Sequence, residues 1–178
     1  MHPKLRKKII LDANAIIDLH HYSIWEPIIH ACRIAVTPII NREVRFYKDL
    51  QGQKQHINLS MHIHTQQIDE IPVSIGEFSH LEKELSIFFL KGIDEGEREA
   101  IAFLHSSKKK DDFLFCTADM LAIKCLGILG LRNHGLSMEE LLEISCIHTQ
   151  IPLPKSRSKQ LFKKMLAEGF QEMHLHKK

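Results

Sequence analysis

The run from Lys8 to Leu19, Lys-Ile-Ile-Leu-Asp-Ala-Asn-Ala-Ile-Ile-Asp-Leu, passes from a short apolar stretch through an acid into a helical pattern. Ile9, Ile10 and Leu11 are apolar without alternation, which predicts a strand covered on both faces in a parallel sheet. In such sheets chemistry collects at the carboxyl ends of the strands. Asp12 therefore stands where a ligand or metal is expected.

The rest of the chain repeats the alternation of strand and helix. Ala13 to Leu19 and Ser23 to Ala31 predict short helices, and Arg33 to Thr37 a second strand closed by Pro38, which cannot extend a central ladder. A helix is expected from an Asn41 N-cap to about Leu50. Gln55 to Pro72 alternates in places and predicts an extra strand or hairpin. His62 and His64 would share one face of such a strand, a pair able to hold a transition metal but with no third ligand in view. Ser74 to Leu90 carries an apolar stripe behind a Ser74–Glu77 capping box. Asp94 to Ser107 is the next helix, Phe113 to Thr117 another strand, and Asp119 to Leu126 another helix. Ser137 with Glu140 opens a further short helix, and Pro152 and Pro154 precede a C-terminal amphipathic one from about Ser158 to Ala167. This order predicts an α/β fold with a mainly parallel sheet.

At 178 residues and 44% hydrophobic content the chain suits one domain, 1–178. The core is expected at about 7–144, followed by a basic helical tail at about 152–178. No apolar run reaches the roughly 18 residues of a membrane span, and the N-terminus lacks the apolar core of a signal peptide, so a cytoplasmic protein is expected. Cys32, Cys116, Cys125 and Cys146 form no Cys-x-x-Cys pair, which predicts reduced thiols. The net charge is only +2 but unevenly spread. Lys4, Arg6, Lys7 and Lys8 precede Asp12, Lys108, Lys109 and Lys110 form a run, and Lys155, Arg157, Lys159, Lys163, Lys164, Lys177 and Lys178 mark the tail. Such clusters are either solvated surface or faces for nucleic-acid phosphates.

Four acids share one local setting. Asp12 is followed by Ala15, Ile16 and Leu19 at the third, fourth and seventh positions; Glu43 by Phe46, Tyr47 and Leu50; Glu97 by Ala100, Ile101 and Leu104; Asp119 by Ala122, Ile123 and Leu126. Of the 22 acids only these have that spacing with leucine at the seventh place. On a helix those positions lie on one face, so each acid would point inward at the start of a buried stripe. Two carboxylates about 4 Å apart repel by roughly 4 kcal/mol at an effective dielectric of 20, so such a cluster calls for a cation. Oxygen ligands suit Mg²⁺ or Mn²⁺. Capping offers a competing explanation for any one acid, since Asp94 with Glu97 also has the form of a capping box. Glu99 falls off the inward face and is expected to be replaceable.

These pieces resemble the PIN-domain nucleases: the opening Ile-Ile-Leu-Asp-Ala-Asn-Ala-Ile-Ile-Asp-Leu, Thr-Pro-Ile-Ile-Asn-Arg-Glu-Val around Glu43, Asp-Glu-Gly-Glu-Arg-Glu-Ala-Ile-Ala around Glu97, and Phe-Leu-Phe-Cys-Thr-Ala-Asp around Asp119. The resemblance runs from about Lys7 to Ile144. It implies a three-layer α/β/α sandwich and metal-dependent cleavage of RNA, often as the VapC-like toxin of a toxin–antitoxin pair. It makes Asp12, Glu43, Glu97 and Asp119 catalytic metal ligands, with Asn14 and Thr117 as supporting groups. Ala13 stands where many members have Thr or Ser, and Glu97 where many have Asp. Gly52 to Pro72 looks like an insertion, and the tail after Ile151 lies outside the match.

The expected activity is thus endoribonuclease hydrolysis with Mg²⁺ or Mn²⁺. The expected partners are RNA, an antitoxin protein and a second copy of the chain, with no membrane. A phosphatase using Asp-x-Asp would need an acid at Asn14, and neither Gly-x-Gly-x-x-Gly nor a P-loop is present. The alternative is a non-catalytic PIN-like protein that binds nucleic acid or a protein partner.

Overall fold

The computed structural model describes residues 6–175; Lys4, Lys177 and Lys178 lie outside them. In chain order the elements are β1 (Lys8–Leu11), α1 (Ala13–His21), α2 (Trp25–Ala31), β2 (Arg33–Val36), α3 (Pro38–Glu43), β3 (Phe46–Lys48), β4 (Lys54–His56), α4 (Leu59–His64) and β5 (Ile68–Glu70). There follow α5 (Ile75–Glu84), α6 (Ile87–Gly92), α7 (Glu95–Ser106), β6 (Phe113–Cys116), α8 (Met120–Ile128), β7 (Gly135–Leu136), α9 (Met138–Ser145) and α10 (Lys159–Leu175).

Five of the strands form one parallel sheet in the order β5-β2-β1-β6-β7. Strand periodicity divides its side chains between two cores. Ile9, Leu11, Ile34, Val36 and Leu114 face Leu19, Trp25, Ile28, Ile40 and Leu141 on one side. Ile10, Ala35, Phe113 and Phe115 face Leu81, Phe89, Ile101, Ile123 and Leu126 on the other. Both faces are covered, which is why β1 shows no polar alternation, and the molecule is an α/β/α sandwich. No helix among the described residues is long and apolar enough to cross a membrane.

The sequence reading needs correction in three places. The helix expected from Asn41 to Leu50 begins earlier, because Thr37 is its N-cap and Pro38 occupies its first turn, where a missing N–H costs nothing. It ends at Glu43. Phe46 to Lys48 then pairs antiparallel with Lys54 to His56. The turn between them is made by Asp49, whose Oδ1 accepts from the backbone of Gln51 and Gln53, and by Gly52 at φ +80°. The stretch carrying His62 and His64 is helix α4, not a strand. His62 is buried, accepting from Trp25 Nε1 at 3.3 Å and pairing with Gln67 at 2.7 Å, while His64 is exposed, so the pair forms no metal site. Finally, the helix expected from Ser74 to Leu90 is broken at extended Leu85. The break shifts the apolar stripe, burying Phe89 and Leu90 and leaving Phe88 70% exposed.

The C-terminal helix is integral to the sandwich. Phe162 and Met165 enter the second core. A Cβ on Gly169 would lie 2.1 Å from the Lys124 carbonyl oxygen, and one on Gly127 2.4 Å from that of Leu166. These two glycines let α8 and α10 cross backbone to backbone. All four cysteines are free thiols, with Cys32, Cys116 and Cys125 buried and Cys146 exposed.

Candidate active site

The chain builds β1, β2 and β5 outward on one side of the sheet and then returns to build β6 and β7 on the other. The reversal falls between β1 and β6, the crevice where open α/β sheets bind ligands. Leu11 is opposite Cys116, and the Asp12 N–H donates to the Cys116 carbonyl at 3.1 Å. Register alone therefore brings Asp12 and the Thr117–Asp119 segment side by side.

Asp12 is the N-cap of α1 and is 1% exposed. Its Oδ1 accepts from the Ala15 N–H, whereas its Oδ2 is buried with no hydrogen-bond partner among the described residues. Burial pushes its carboxyl up to about 6, against the opposing pull of Thr117, the Ala15 and Ala118 backbone and the Arg157 charge. Thr117 is buried, and its Oγ1 accepts from the Asp119 N–H at 3.1 Å. Asp119 is the N-cap of α8, and its Oδ1 accepts from Leu121 and Ala122, each at 2.8 Å.

Glu97 reaches the same place from the first turn of α7. It completes the capping box expected with Asp94, whose N–H donates to Glu97 Oε2 at 3.2 Å, and it is 6% exposed. Burial, and then the charges of Asp119 and Asp12, push its carboxyl up to about 8. Asp12 and Asp119 thus stand near enough to Glu97 for their charges to act on its carboxyl. Thr37, at the end of β2 beside β1, adds a buried hydroxyl without a partner among the described residues.

Glu43 departs from the expected pattern. It lies at the last residue of α3, not the start of an inward stripe, because Phe46 and Tyr47 belong to a hairpin and Leu50 is exposed. Its exposed carboxylate rests against the first turn of α7, where a Cβ on Gly96 would lie 2.9 Å from its Oε2. Partial burial raises its pKa, followed by the charges of Asp94, Glu95 and Glu99. Asn14 is exposed on the first turn of α1. Among the described residues, no three His, Cys, Asp or Glu side chains stand close enough together to hold a metal ion as placed.

Two residues matter here that sequence reasoning misjudged. Glu99 is 5% exposed, and its Oε2 accepts from the Ile39 N–H at 2.8 Å, so it ties α7 to the first turn of α3 and is not a free surface acid. Arg157, expected among the surface cations of the tail, is partly buried instead. Its Nε donates to Asp18 Oδ2 on α1, and its charge also acts on Asp12. No local signal encodes a contact spanning so much chain. Of the other expected phosphate contacts, Lys159 pairs with Glu143 at 2.8 Å and Lys164 with Glu168 at 3.9 Å. Lys155 and Lys163 are exposed. Lys108, Lys109 and Lys110 precede β6, at the edge of the sheet opposite the acids. Neither the family models nor the curated proteins compared with this chain match it.

Proposed function

We propose that the protein is a metal-dependent nuclease that hydrolyses RNA phosphodiester bonds, with Asp12, Glu97 and Asp119 as the metal-binding acids. The observation that carries this reading is the buried, partnerless Oδ2 of Asp12 together with Glu97, whose carboxyl is raised by burial and then by the charges of Asp119 and Asp12. A divalent Mg²⁺ or Mn²⁺ fits that donor set, since it takes oxygen ligands and offsets the repulsion. When bound, such an ion lowers the pKa of a coordinated water and neutralises charge developing on phosphate.

The chain's own residues supply placement. The β1–β6 register fixes Asp12 against Thr117, and the Thr117 hydroxyl holds the backbone of Asp119. Each acid is steadied by capping its own helix, so little freedom remains to be lost on binding. Glu97, with its carboxyl near 8, carries a proton at neutral pH and releases it when positive charge arrives. Glu43 lies beside the first turn of α7, the turn that carries Glu97. PIN-like ancestry and a toxin role with an antitoxin partner belong to the same proposal and rest on the motifs alone.

A second reading, a non-catalytic protein of the same fold that binds nucleic acid or a protein partner, is favoured by one observation: the acids as placed do not converge on a common point among the described residues. Incubating a mixed RNA pool with the protein and Mn²⁺ separates the two. Cleavage by the wild type, abolished in Asp12→Asn and Asp119→Asn while both variants melt cooperatively, is the expected result. No cleavage by a folded, Mn²⁺-saturated wild type would establish the second reading, and full cleavage by both variants would remove the acids from the chemistry.

A further inference from the structure

At the amino ends of the strands lies a hollow of about 580 Å³ whose lining includes Arg6, Lys8, Arg33, Lys109, Asp112 and Phe113. The parallel sheet assembles it. Lys8, Arg33 and Phe113 open β1, β2 and β6 and share one register position, so they face the same side as Ile10, Ala35 and Phe115. Lys109 arrives in the connection from α7 to β6, and Arg6 lies just ahead of β1. Lys8 and Asp12 are about 13 Å apart along β1 at roughly 3.3 Å per residue, which sets the hollow apart from the acid site.

The charges in this hollow are not balanced. Lys8 is held by Asp69 at 2.7 Å, but Arg6, Arg33 and Lys109 are exposed and form no ion pair among the described residues. The one acid in the lining among the described residues is Asp112, itself exposed. Elsewhere Arg157, Lys124 and Lys159 each meet a carboxylate directly, on Asp18, Glu168 and Glu143. Cations also gather at the carbonyl ends of helices, where they offset the helix dipole, and Arg33 and Lys109 stand just past α2 and α7. Arg6 and Lys8 follow no described α-helix, so helix ends do not account for the group. Two guanidinium forks beside an unpaired ammonium suit phosphate oxygens, which arginine binds in pairs and lysine as a point charge.

We propose that this hollow binds a small polyphosphate anion, its diphosphate group held between Arg6, Arg33 and Lys109 at a site separate from the acids. A diphosphate concentrates its charge in one place, as cations gathered around one hollow require, whereas a nucleic-acid backbone spreads single charges along a strand. The volume lies within the roughly 300–1,000 Å³ of small-molecule sites. A bound anion ties the segment before β1 to the start of β2 and to the α7–β6 connection, and so stabilises the amino end of the sheet. Binding there needs neither metal nor RNA, so the proposal does not rest on the nuclease reading.

Isothermal titration of the full chain with inorganic pyrophosphate, in chelator and at constant ionic strength, tests it. The wild type is expected to give a saturable isotherm. Arg33→Gln should weaken binding about ten-fold or more, as loss of one charge-assisted hydrogen bond does. Arg6→Gln and Lys109→Gln, each on a different segment, should weaken it as well. Lys83→Gln removes the same charge from α5, outside the hollow, and should leave the affinity unchanged. Because Arg33 is exposed, its variant is expected to melt as the wild type does without pyrophosphate, and the Arg6 and Lys109 variants carry the test if it does not. No saturable binding by the wild type, unchanged affinity in all three hollow variants, or an equal loss in Lys83→Gln overturns the proposal. If pyrophosphate does not bind while a labelled RNA loses affinity in Arg33→Gln and not in Lys83→Gln, the hollow serves a nucleic-acid strand and the small-anion site is refuted.

Discussion

Replacing Glu97 by Gln should remove most of a pH dependence that the metal-free protein carries between pH 4.5 and 8. The Glu97 carboxyl is raised from the ordinary 4.5 to about 8, by burial first and then by Asp119 and Asp12. The folded state holds the proton more tightly than the unfolded chain does. Below pH 4.5 both states are protonated and the group has no effect. Between 4.5 and 8 the unfolded chain ionises and the folded one does not, so stability falls as pH rises; above 8 both are ionised and the loss is complete. At ~1.4 kcal/mol for each pH unit the full loss is about 5 kcal/mol, comparable with the whole stability of many domains. The amide introduced by Glu97→Gln does not titrate, yet its oxygen can still accept from the Asp94 N–H. Urea unfolding at a series of pH values with chelator present should show wild-type stability declining across this window and the variant nearly flat, apart from the smaller contribution of Asp12. Mn²⁺ at about pH 8 should restore the wild type, by about 2.7 kcal/mol at a concentration of about 100 Kd. Parallel pH curves for wild type and Glu97→Gln would refute the reasoning.

Gly169→Ala should destabilise by about 1–3 kcal/mol, because its Cβ would meet the Lys124 carbonyl at 2.1 Å where no side chain can move aside; an unchanged urea midpoint would contradict the backbone crossing. Glu99→Ala, which strands the Ile39 N–H, should cost about 1–3 kcal/mol, and Glu99→Gln less because an oxygen remains to accept; chemical denaturation of both would reveal equal losses if charge alone mattered. Replacing Lys108, Lys109 and Lys110 together by Ala should weaken RNA binding similarly for all sequences and lessen its salt dependence, since phosphate contacts carry no base information. The turnover number should not change, because these lysines lie across the sheet from the acids; a lower turnover number with unaltered affinity would contradict that placement.

Asp12 and Asp119 were legible because a strand running into an acid and then a helix is a local pattern, and parallel register does the rest. Glu97 was legible through the stripe of Ala100, Ile101 and Leu104 that follows it, all fully buried, while its capping box with Asp94 was the competing signal. Glu43 misled for a reason equally local. Phe46, Tyr47 and Leu50 repeat the helical spacing by coincidence, while Pro38 in a first helical turn and the Asp49–Gly52 turn are the signals that decide the local structure. The buried roles of Glu99 and Arg157 could not be read from spacing. The Glu99 partner is a backbone N–H in another helix, and Arg157 meets a carboxylate 139 residues away in the chain.

Capping and cation binding are competing explanations for the inward acids, and magnitudes separate them. A side-chain N-cap contributes about 0.5–2 kcal/mol relative to alanine, and serine or asparagine serves as well as aspartate. Raising Asp12 from the ordinary 3.8 to about 6 corresponds to about 3 kcal/mol lost at neutral pH, and Glu97 loses more. A charge kept at a buried cap therefore costs more than the cap returns, whereas Ser74 and Ser137 cap α5 and α9 in the same chain with no such cost. The two roles also need not exclude one another, because a carboxylate has two oxygens. Asp12 caps α1 with Oδ1 and leaves Oδ2 buried and free, and Asp119 likewise gives Oδ1 to both backbone donors of α8. Capping then fixes the direction in which the second oxygen points, and a cation at the β1–β6 crevice is what would offset the charge retained there.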